Sequence, residues 1–190
     1  PMIKWVTDAV REAGIDRILA VIGHQGEQVK QVLGSGVDYV EQREQLGTGH
    51  AVMQTIGHLK DIDGNVLILC GDTPLITSRT ISKAFGFHRD RGCAATVITA
   101  ELENPHGYGR VVRGGDGNVV RIVEQRDARE EEKKIREINS GIYCFCIEHL
   151  VEALKEIGSD NDQGEYYLTD TVEVLVNKGL KVAAYKVGRP

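Results

Sequence analysis

The sequence predicts an α/β fold whose core is a doubly wound, mostly parallel sheet. Three runs of strand length, residues 17–22, 37–42 and 65–70, are separated by segments with helical patterning. The first and third runs are almost entirely apolar, which is typical of strands covered on both faces. Parallel neighbours need crossover connections, and these are right-handed, so strands that alternate with helices build a sheet with helices on both faces.

The helices of the first half follow from apolar spacing and glycine stops. Apolar residues recur at helical spacing over residues 2–13, and Gly14 supplies a C-terminal stop. Further helices are predicted over residues 25–33, from the 47–49 turn through residue 56, and over residues 78–91. The chain therefore opens on a helix and alternates regularly up to Gly92.

Beyond Gly92 the pattern changes to short strands and turns. Strands are predicted over residues 94–100, 109–113, 119–124, 138–146 and 182–187, with a hairpin turn at 114–118 and helices over 147–157 and about 168–178. Residues 126–137 are a dense run of alternating charge, predicted to be a solvated helix without chemistry. We expect the sheet to become mixed here and to carry a substrate-facing lobe.

Composition excludes several classes of protein. The 190 residues are 41% hydrophobic and 27% charged, which fits a globular domain. The net charge is -5, from 23 basic and 28 acidic residues, and leaves no basic field to hold nucleic acid or anionic lipid. The amino end lacks the pattern of a secretion signal, and no apolar run approaches the roughly 20 residues of a membrane span. We expect a cytoplasmic protein that binds neither nucleic acid nor membrane.

Cysteines and histidines form no reactive or metal-binding motif. The four cysteines contain no Cys-x-x-Cys pair and are predicted to be reduced core thiols; they are Cys70, Cys93, Cys144 and Cys146. The six histidines have no pair at metal spacing on one helix and are predicted to lie on the surface or in turns. Without a Ser or Cys nucleophile motif, we expect no covalent catalysis.

Asp72 lies just beyond the carboxyl end of the apolar strand predicted at 65–70. Open α/β sheets bind ligands at this end of their strands. A carboxylate there suits Mg²⁺, which takes one or two carboxylates together with substrate phosphates. The alternative is that Asp72 turns the chain before Thr73 and Pro74. This segment alone favours neither interpretation.

The segment from Gln42 to Gly49 lies between a strand end and a helix start. Its glycines allow a ligand to approach the backbone, and a glutamine amide can both donate to and accept from a nucleobase edge. The alternative is an ordinary turn in which Thr48 caps the helix, and the pattern alone favours that alternative. The segment matches neither a Walker A sequence nor a Gly-x-Gly-x-x-Gly fingerprint.

Three segments of the second half suit a neutral polar ligand. They are residues 104–110, Glu124 at a strand end, and Asn139 at the head of an apolar strand. Asn and Glu beside exposed glycine backbone offer the directional donors and acceptors that sugar hydroxyls and amides require. Taken singly, each segment is more simply a turn.

Six motifs in this order and spacing resemble the nucleotidyltransferase domain of the bacterial bifunctional GlmU family, the N-acetylglucosamine-1-phosphate uridyltransferases. The resemblance covers essentially the whole chain, and its most specific part is Gly-Glu-Tyr-Tyr-Leu-Thr-Asp at 164–170. The motifs are Glu-Gln-Leu-Gly-Thr-Gly-His-Ala at 44–51, Gly-Asp-Thr-Pro-Leu at 71–75, Gly-Tyr-Gly-Arg at 107–110, Ile-Val-Glu at 122–124, Glu-Ile-Asn-Ser-Gly at 137–141, and Gln163 with the 164–170 motif.

The resemblance implies a Rossmann-like fold of the sugar nucleotidyltransferase type, a nucleotide half at about 1–92 and a sugar-binding half at about 93–190. It implies transfer of uridylyl from UTP to N-acetylglucosamine-1-phosphate with Mg²⁺, giving pyrophosphate and UDP-N-acetylglucosamine, a peptidoglycan precursor used in cell wall biogenesis. The implied residues are Gln42, Gly47, Thr48 and Cys70 for the nucleotide, Asp72 for catalysis and metal binding, and Gly109, Glu124, Asn139, Tyr167 and Thr169 for the sugar.

Some parts of the family pattern have no match in this sequence. The family's first strand, central to its sheet, and the following Leu-Ala-Ala-Gly-x-Gly-Thr-Arg-Met loop and Lys that cradle the triphosphate are missing. A second metal-binding Asn and the C-terminal β-helix domain, which acetylates glucosamine-1-phosphate and forms a homotrimer in the family, are missing as well. Cys70 stands where the family often has Tyr. We expect an interior piece of the domain, truncated at both ends, with little or no turnover by itself.

Two alternatives stay open at this point. The parent protein could be a pyrophosphorylase for a different sugar-1-phosphate, because Gly-Asp and Gly-Tyr-Gly-Arg also occur in such enzymes. It could also be a non-catalytic domain that only binds a sugar nucleotide.

Overall fold

The computed structural model describes residues 1–188 as an α/β fold. The first half contains helices α1 (Met2–Glu12), α2 (Gly26–Leu33), α3 (Thr48–Met53), α4 (Ile56–Leu59) and α5 (Ser78–Arg91), and strands β1 (Leu19–Ile22), β2 (Asp38–Glu41) and β3 (Asn65–Ile68). The second half contains strands β4 (Ala95–Glu101), β5 (Arg110–Arg113), β6 (Val119–Val123), β7 (Glu137–Cys146) and β8 (Val182–Lys186), and helices α6 (Glu130–Lys133), α7 (Ile147–Leu154) and α8 (Asp170–Asn177).

The long strand β7 organises the sheet of the second half. It pairs antiparallel with β4 along most of its length and with β5 near its start, and its carboxyl-terminal half pairs antiparallel with β3. The order along the main path is β6-β5-β7-β4-β8, with β8 parallel to β4. This mixed sheet confirms the prediction for the second half, including the hairpin between β5 and β6, whose turn is closed by the Gly114 amide donating to the Asn118 carbonyl at 2.9 Å.

The sheet of the first half differs from the prediction in one respect. Strands β1 and β2 pair in parallel, as their helical connection requires, but form a two-stranded sheet of their own. Within the described residues strand β3 does not extend that parallel pair; it pairs with β7, which runs in the opposite direction. The α/β class holds, while the pairing is more mixed than alternation of strands and helices predicts.

The charged run at 126–137 is mostly not a helix. Only the four residues of α6 are helical, and Glu137 begins β7. Glu132 accepts from the backbone amide of Arg129 at 2.8 Å and forms an ion pair with Arg121 of β6. Glu137 is buried and pairs with Arg113 of β5 at 2.7 Å. Two acidic members of the run, Glu132 and Glu137, therefore have partners on neighbouring strands, which a pattern of alternating charge does not reveal.

The largest core lies between the mixed sheet and helices α7 and α8. Phe145 of β7, Leu150 and Leu154 of α7, and Val172 and Leu175 of α8 are almost completely buried there. Truncating a fully buried leucine such as Leu150 to alanine typically costs about 2–5 kcal/mol of folding free energy. This packing fixes α8, and with it the segment that precedes α8, against the sheet.

Two predictions about polar residues are wrong in part. His88 is not on the surface: it is buried, with Nδ1 2.9 Å from Thr96 Oγ1 and Nε2 3.0 Å from Asn65 Oδ1, and burial lowers its pKa. All four cysteines are free thiols, but only two are buried and Cys70 is exposed, because it lies beyond the paired part of β3.

No helix among residues 1–188 is long and apolar enough to cross a membrane.

Candidate functional site

Two segments far apart in sequence run side by side to form one wall of the candidate site. The Tyr166 amide donates to the Leu46 carbonyl at 2.8 Å, and the Gly49 amide donates to the Tyr166 carbonyl at 2.7 Å. The Leu168 amide donates to Thr48 Oγ1 at 3.0 Å. The loop after β2 is thereby joined, bond by bond, to the segment that leads into α8.

Close approach explains the glycines of the loop after β2. Gly47 has φ +110°, and a Cβ on it would lie 2.6 Å from the Tyr166 carbonyl oxygen. A Cβ on Gly49 would lie 2.6 Å from Ile157 Cδ1 and 2.9 Å from that same carbonyl oxygen. A side chain at either position would therefore push the two segments apart.

Thr48 is not the helix cap that the alternative interpretation proposed. Gly47 occupies the cap position of α3 and makes no side-chain cap bond, while Thr48 is the first helical residue. Its hydroxyl is instead an acceptor for Leu168, 120 residues further along the chain. The Thr48 hydroxyl therefore makes a long-range hydrogen bond to Leu168 and not a capping bond within α3.

Gln42 follows β2 and lies over a cleft at the carboxyl ends of β1 and β2. Its backbone amide donates to the Ile22 carbonyl at 2.7 Å, which fixes it at the sheet edge. Its side-chain nitrogen lies 3.1 Å from the Gly47 carbonyl oxygen and 3.1 Å from His50 Nδ1. The cleft, about 400 Å³ in volume, is also lined by Arg43. This edge is where α/β sheets take ligands.

The Gln42 loop and its contacts form the first cluster of the site. A second cluster lies next to strands β5, β6 and β7 and the start of α8, and it consists of Gly109, Glu124, Asn139 and Thr169. A Cβ on Gly109 would lie 3.2 Å from both carboxylate oxygens of Glu124, which follows β6. The Gly109 carbonyl accepts from the Asn139 amide at 2.9 Å, and the Thr169 hydroxyl donates to Glu124 Oε1 at 3.2 Å. The structure thus brings together four of the five residues predicted for the sugar.

The carboxamide of Asn139 has a fixed orientation. Its nitrogen donates to the Tyr143 hydroxyl at 2.6 Å, and its oxygen accepts from the Gly141 amide at 3.0 Å. Tyr143 is buried, and burial first, with the negative charge of Glu124 adding to it, raises its pKa far above the usual range. The phenol therefore stays neutral and keeps a hydroxyl beside the carboxamide.

Tyr167, the fifth predicted sugar residue, is buried in the segment between the two clusters. Its hydroxyl accepts from Gln163 Nε2 at 2.9 Å. Burial, followed by the carboxylates of Asp127 and Glu124, raises its pKa against the hydrogen bond from Gln163. Tyr167 thus stays neutral near Glu124.

The second cluster is acidic and partly dehydrated. Burial raises the pKa of Glu124, and the Thr169 hydrogen bond and the positive charge of Arg110 oppose that shift. The pKa of Asp170 is raised to about 6, first by burial and then by the charges of Glu173, Glu124 and Asp127. The negative charge of these carboxylates suits a neutral group that offers hydrogen-bond donors, such as the hydroxyls of a sugar, better than it suits another negatively charged group.

Arg110 anchors the loop that precedes β5. The guanidinium is buried, donates to the Tyr108 carbonyl, and donates to Gln125 Oε1 at 2.8 Å, while Gly107 donates to that same oxygen at 3.0 Å. Its Nε has no hydrogen-bond partner. Burial lowers the pKa of Arg110, and the nearby Glu124 partly offsets this.

Cys70 and Asp72 follow β3, and Cys70 approaches Gly141 of β7. Cys70 Sγ lies 3.8 Å from the Gly141 carbonyl oxygen, and Thr73 Oγ1 donates to the Cys70 carbonyl at 2.8 Å. Asp72 is exposed. Within residues 1–188 no group of three or more His, Cys, Asp or Glu side chains is arranged to hold a metal ion. A metal at Asp72 would have one carboxylate from this chain, which fits an ion that draws its other ligands from phosphate and water.

Residues 163–170 connect the clusters: Tyr166 and Leu168 contact the Gln42 loop, and Thr169 contacts Glu124.

Sequence reasoning missed His50, Tyr143 and Arg110. His50 and Arg110 lie in the motifs at 44–51 and 107–110, and Tyr143 lies just beyond the motif at 137–141, but none of them shows its partner in the sequence.

The comparisons with known proteins agree with this architecture. The model of the nucleotidyl transferase family matches residues 1–188. The chain belongs to the nucleotidyl transferase family. It shares the family's α/β fold with a solved structure of UDP-glucose pyrophosphorylase complexed with UDP-glucose, at a TM-score of 0.78 and 16% identity, covering 98% of this chain and 79% of that one.

Curated bacterial relatives are much closer in sequence. Proteins named bifunctional protein GlmU are 58% identical in Acetivibrio thermocellus over 187 residues, 51% identical in Lactobacillus delbrueckii subsp. bulgaricus over 186 residues, and 52% identical in Pelotomaculum thermopropionicum over 190 residues. These alignments cover 98%, 98% and 100% of this chain, but the chain spans only 41%, 40% and 42% of the relatives' length. The family resemblance is thereby confirmed for this nucleotidyl transferase domain.

Proposed function

We propose that the protein transfers uridylyl from UTP to N-acetylglucosamine-1-phosphate, giving UDP-N-acetylglucosamine and pyrophosphate. The observation that carries this proposal is the double attachment of residues 163–170, to the Gln42 loop on one side and to Glu124 on the other. A site for a sugar nucleotide needs a base-binding wall and a sugar-binding wall in fixed register. The relatives named bifunctional protein GlmU support the same assignment.

The base-binding wall consists of Gln42, Gly47 and Thr48, with Cys70 on the nucleotide side. The base would meet the backbone of Gly47 and Thr48, which the bonds to Tyr166 and Leu168 hold in place. Gln42 presents an amide at the edge of the cleft, held there by its backbone bond to Ile22. These contacts orient the nucleotide without any charge from the protein.

The sugar-binding wall consists of Gly109, Glu124, Asn139, Tyr167 and Thr169. Glu124 accepts hydrogen bonds from sugar hydroxyls, and the Asn139 carboxamide and its neighbouring backbone accommodate an N-acetyl group. Because Thr169 holds the Glu124 carboxylate at 3.2 Å, this acceptor is oriented before the sugar arrives.

In the proposed reaction a phosphate oxygen of the sugar phosphate forms a bond to the α-phosphorus of UTP as the bond to the pyrophosphate oxygen breaks. This in-line transfer depends on positioning and on neutralising charge, and it requires no protein nucleophile. Asp72 is the residue that would hold Mg²⁺, which when bound offsets the charge of the phosphates. The two walls keep nucleotide and sugar phosphate in line with one another.

Other features of the resemblance stay predictions for the whole protein. They are the division into a nucleotide half at about 1–92 and a sugar half at about 93–190, the homotrimer, the acetyl-transferring second activity and the cytoplasmic location.

The test uses the full-length product of the gene that encodes this chain. Pyrophosphate release is measured with UTP or dTTP and a panel of sugar-1-phosphates. We expect turnover with UTP and N-acetylglucosamine-1-phosphate to exceed every other pair, and Asp72→Asn to abolish it at unchanged thermal stability. Preference for another sugar phosphate, or full activity of Asp72→Asn, would contradict the proposal.

A further inference from the structure

His50 lies directly behind Gln42, at the start of α3. Its ring is half-buried, with Nδ1 3.1 Å from the side-chain nitrogen of Gln42 and Nε2 3.1 Å from that of Gln54. The ring of Tyr166 lies beside it, 6.3 Å between centroids and tilted by 34°. His50 therefore has a defined position between the base-binding wall and the rest of α3.

Counting donors on Gln42 shows which side of its amide is free. A carboxamide nitrogen carries two hydrogens. One points to the Gly47 carbonyl oxygen and the other to His50 Nδ1, both at 3.1 Å. With both hydrogens used inside the protein, only the carbonyl oxygen of Gln42 remains to meet a ligand in the cleft.

The opposite amide orientation is unfavourable at this position. Rotating the Gln42 carboxamide by 180° would place its oxygen 3.1 Å from the Gly47 carbonyl oxygen, and two acceptors would face each other. The same rotation would leave His50 Nδ1 without a donor if that nitrogen carries a lone pair. His50 and the Gly47 carbonyl thus act together on Gln42.

A neutral imidazole has one acceptor nitrogen and one donor nitrogen. If Nδ1 accepts from Gln42, Nε2 carries the hydrogen and requires an acceptor from Gln54. The structure has the side-chain nitrogen of Gln54 facing Nε2, so Gln54 would present its oxygen to the ring only after its carboxamide rotates by 180°. It then gives up a 3.0 Å bond to the His50 carbonyl, which the Gln54 backbone amide also contacts at 3.4 Å.

We propose that His50 is a positioning residue that fixes the Gln42 carboxamide with its oxygen toward the base, and that this orientation selects a base with an imide N–H. The proposal rests on the proposed function and names the origin of its base specificity. Uracil has a hydrogen on N3 and can donate to the Gln42 oxygen. Cytosine has a lone pair on N3, which would face that oxygen as a second acceptor.

The experiment compares UTP with CTP in the full-length gene product, using N-acetylglucosamine-1-phosphate as the second substrate. His50→Leu and His50→Ala remove the acceptor behind Gln42. His50→Asn keeps one, because the asparagine oxygen can occupy about the position of Nδ1. Gln54→Leu is the matched control on the other ring nitrogen, and thermal unfolding establishes that each variant is folded.

We expect His50→Leu and His50→Ala to lower the ratio of kcat/KM for UTP over CTP about tenfold, as loss of one orienting hydrogen bond predicts. The change should lie in KM for UTP, with kcat for UTP nearly unchanged. His50→Asn should restore most of the ratio, and Gln54→Leu should leave it within about twofold.

Two results would overturn the proposal, and they differ from each other. A folded His50→Leu and a folded His50→Ala that both keep the parent ratio would show that His50 does not set base selectivity, and the proposed function would stand. A parent protein that uses neither nucleotide would overturn the proposed function and this inference with it.

Discussion

The Glu124 carboxylate lies against the backbone of Gly109, in the space that a side chain there would need. A Cβ added to Gly109 would be 3.2 Å from each carboxylate oxygen. The backbone of Gly109 is not in the left-handed region, so alanine is permitted by its conformation. Contacts of 3.2 Å are nevertheless tight for a methyl group, so Glu124 would have to shift by a few tenths of an ångström. The two residues therefore define the shape of the sugar-binding wall.

We predict that Gly109→Ala displaces Glu124 and weakens sugar-phosphate binding while the protein stays folded. KM for N-acetylglucosamine-1-phosphate should rise about tenfold, with KM for UTP unchanged. Steady-state kinetics of the full-length gene product would measure this. Gly115→Ala is the control, because nothing lies within 4 Å of its added Cβ. Equal KM values for the two variants would contradict the assignment of Gly109.

Gly47→Ala should instead destabilise the fold. Gly47 has φ +110° and its Cβ would lie 2.6 Å from the Tyr166 carbonyl oxygen, so both strain and collision oppose a side chain. We expect a loss of about 2–4 kcal/mol in the free energy of unfolding, measured by urea denaturation. Gly86→Ala, in the middle of α5 with open space around it, should stabilise by about 0.5–1 kcal/mol. A Gly47→Ala protein as stable as Gly86→Ala would refute the close approach of the two segments.

Elements were predictable where the signal was local. The apolar runs behind β1 and β3 and the glycine after α5 lie within a few residues of what they predict. The antiparallel pairing of β3 with β7 was not predictable, because it depends on residues 65–68 meeting residues 143–146, a register set by the packing of the second half.

The same limit applies to the site. Thr48 looked like a helix cap because a cap is a local use of threonine, whereas its actual partner is Leu168. The assignment of Gln42, Glu124 and Asn139 to a ligand rests on the family pattern, because each segment taken singly is more simply a turn. His50 and Tyr143 were missed because each acts on a neighbouring amide, and sequence carries no sign of that geometry.

The raised pKa of Asp170 predicts a pH-dependent stability. Its folded-state pKa of about 6 exceeds the usual aspartate value of 3.8, so its contribution to stability is fully present below about pH 3.8 and is lost as the pH rises through about 6. Asp170→Asn should therefore be about 1 kcal/mol more stable than the parent at pH 7.5 and equal to it at pH 3.5. Chemical denaturation at several pH values measures the difference.

The exposed residue Asp63 provides the control for that experiment. Because Asp63 is exposed, Asp63→Asn should change stability at pH 7.5 by less than Asp170→Asn does. An Asp170→Asn difference that is independent of pH would contradict a buried, charge-repelled carboxylate at the start of α8.

The ion pair between Arg113 and Glu137 predicts the opposite dependence. Burial alone would raise the pKa of Glu137, but the hydrogen bonds from Arg113 and Thr99 lower it below the usual value. Its contribution to stability is therefore present above about pH 4.5 and is lost as the pH falls through the lowered pKa. Arg113→Met should cost about 1–3 kcal/mol at pH 7 and less in acid, in denaturation experiments. A cost that is constant down to pH 3 would argue against the pair.

The central claim is that the Gln42 loop, Glu124 and residues 163–170 together form the binding site of a uridine-linked amino sugar. Hydrogen–deuterium exchange of the full-length gene product with and without UDP-N-acetylglucosamine tests it most directly. The account predicts protection concentrated at 42–49, 107–110 and 163–170. Protection confined to another surface, such as the cavity of about 220 Å³ lined by His88 and His149, would contradict it.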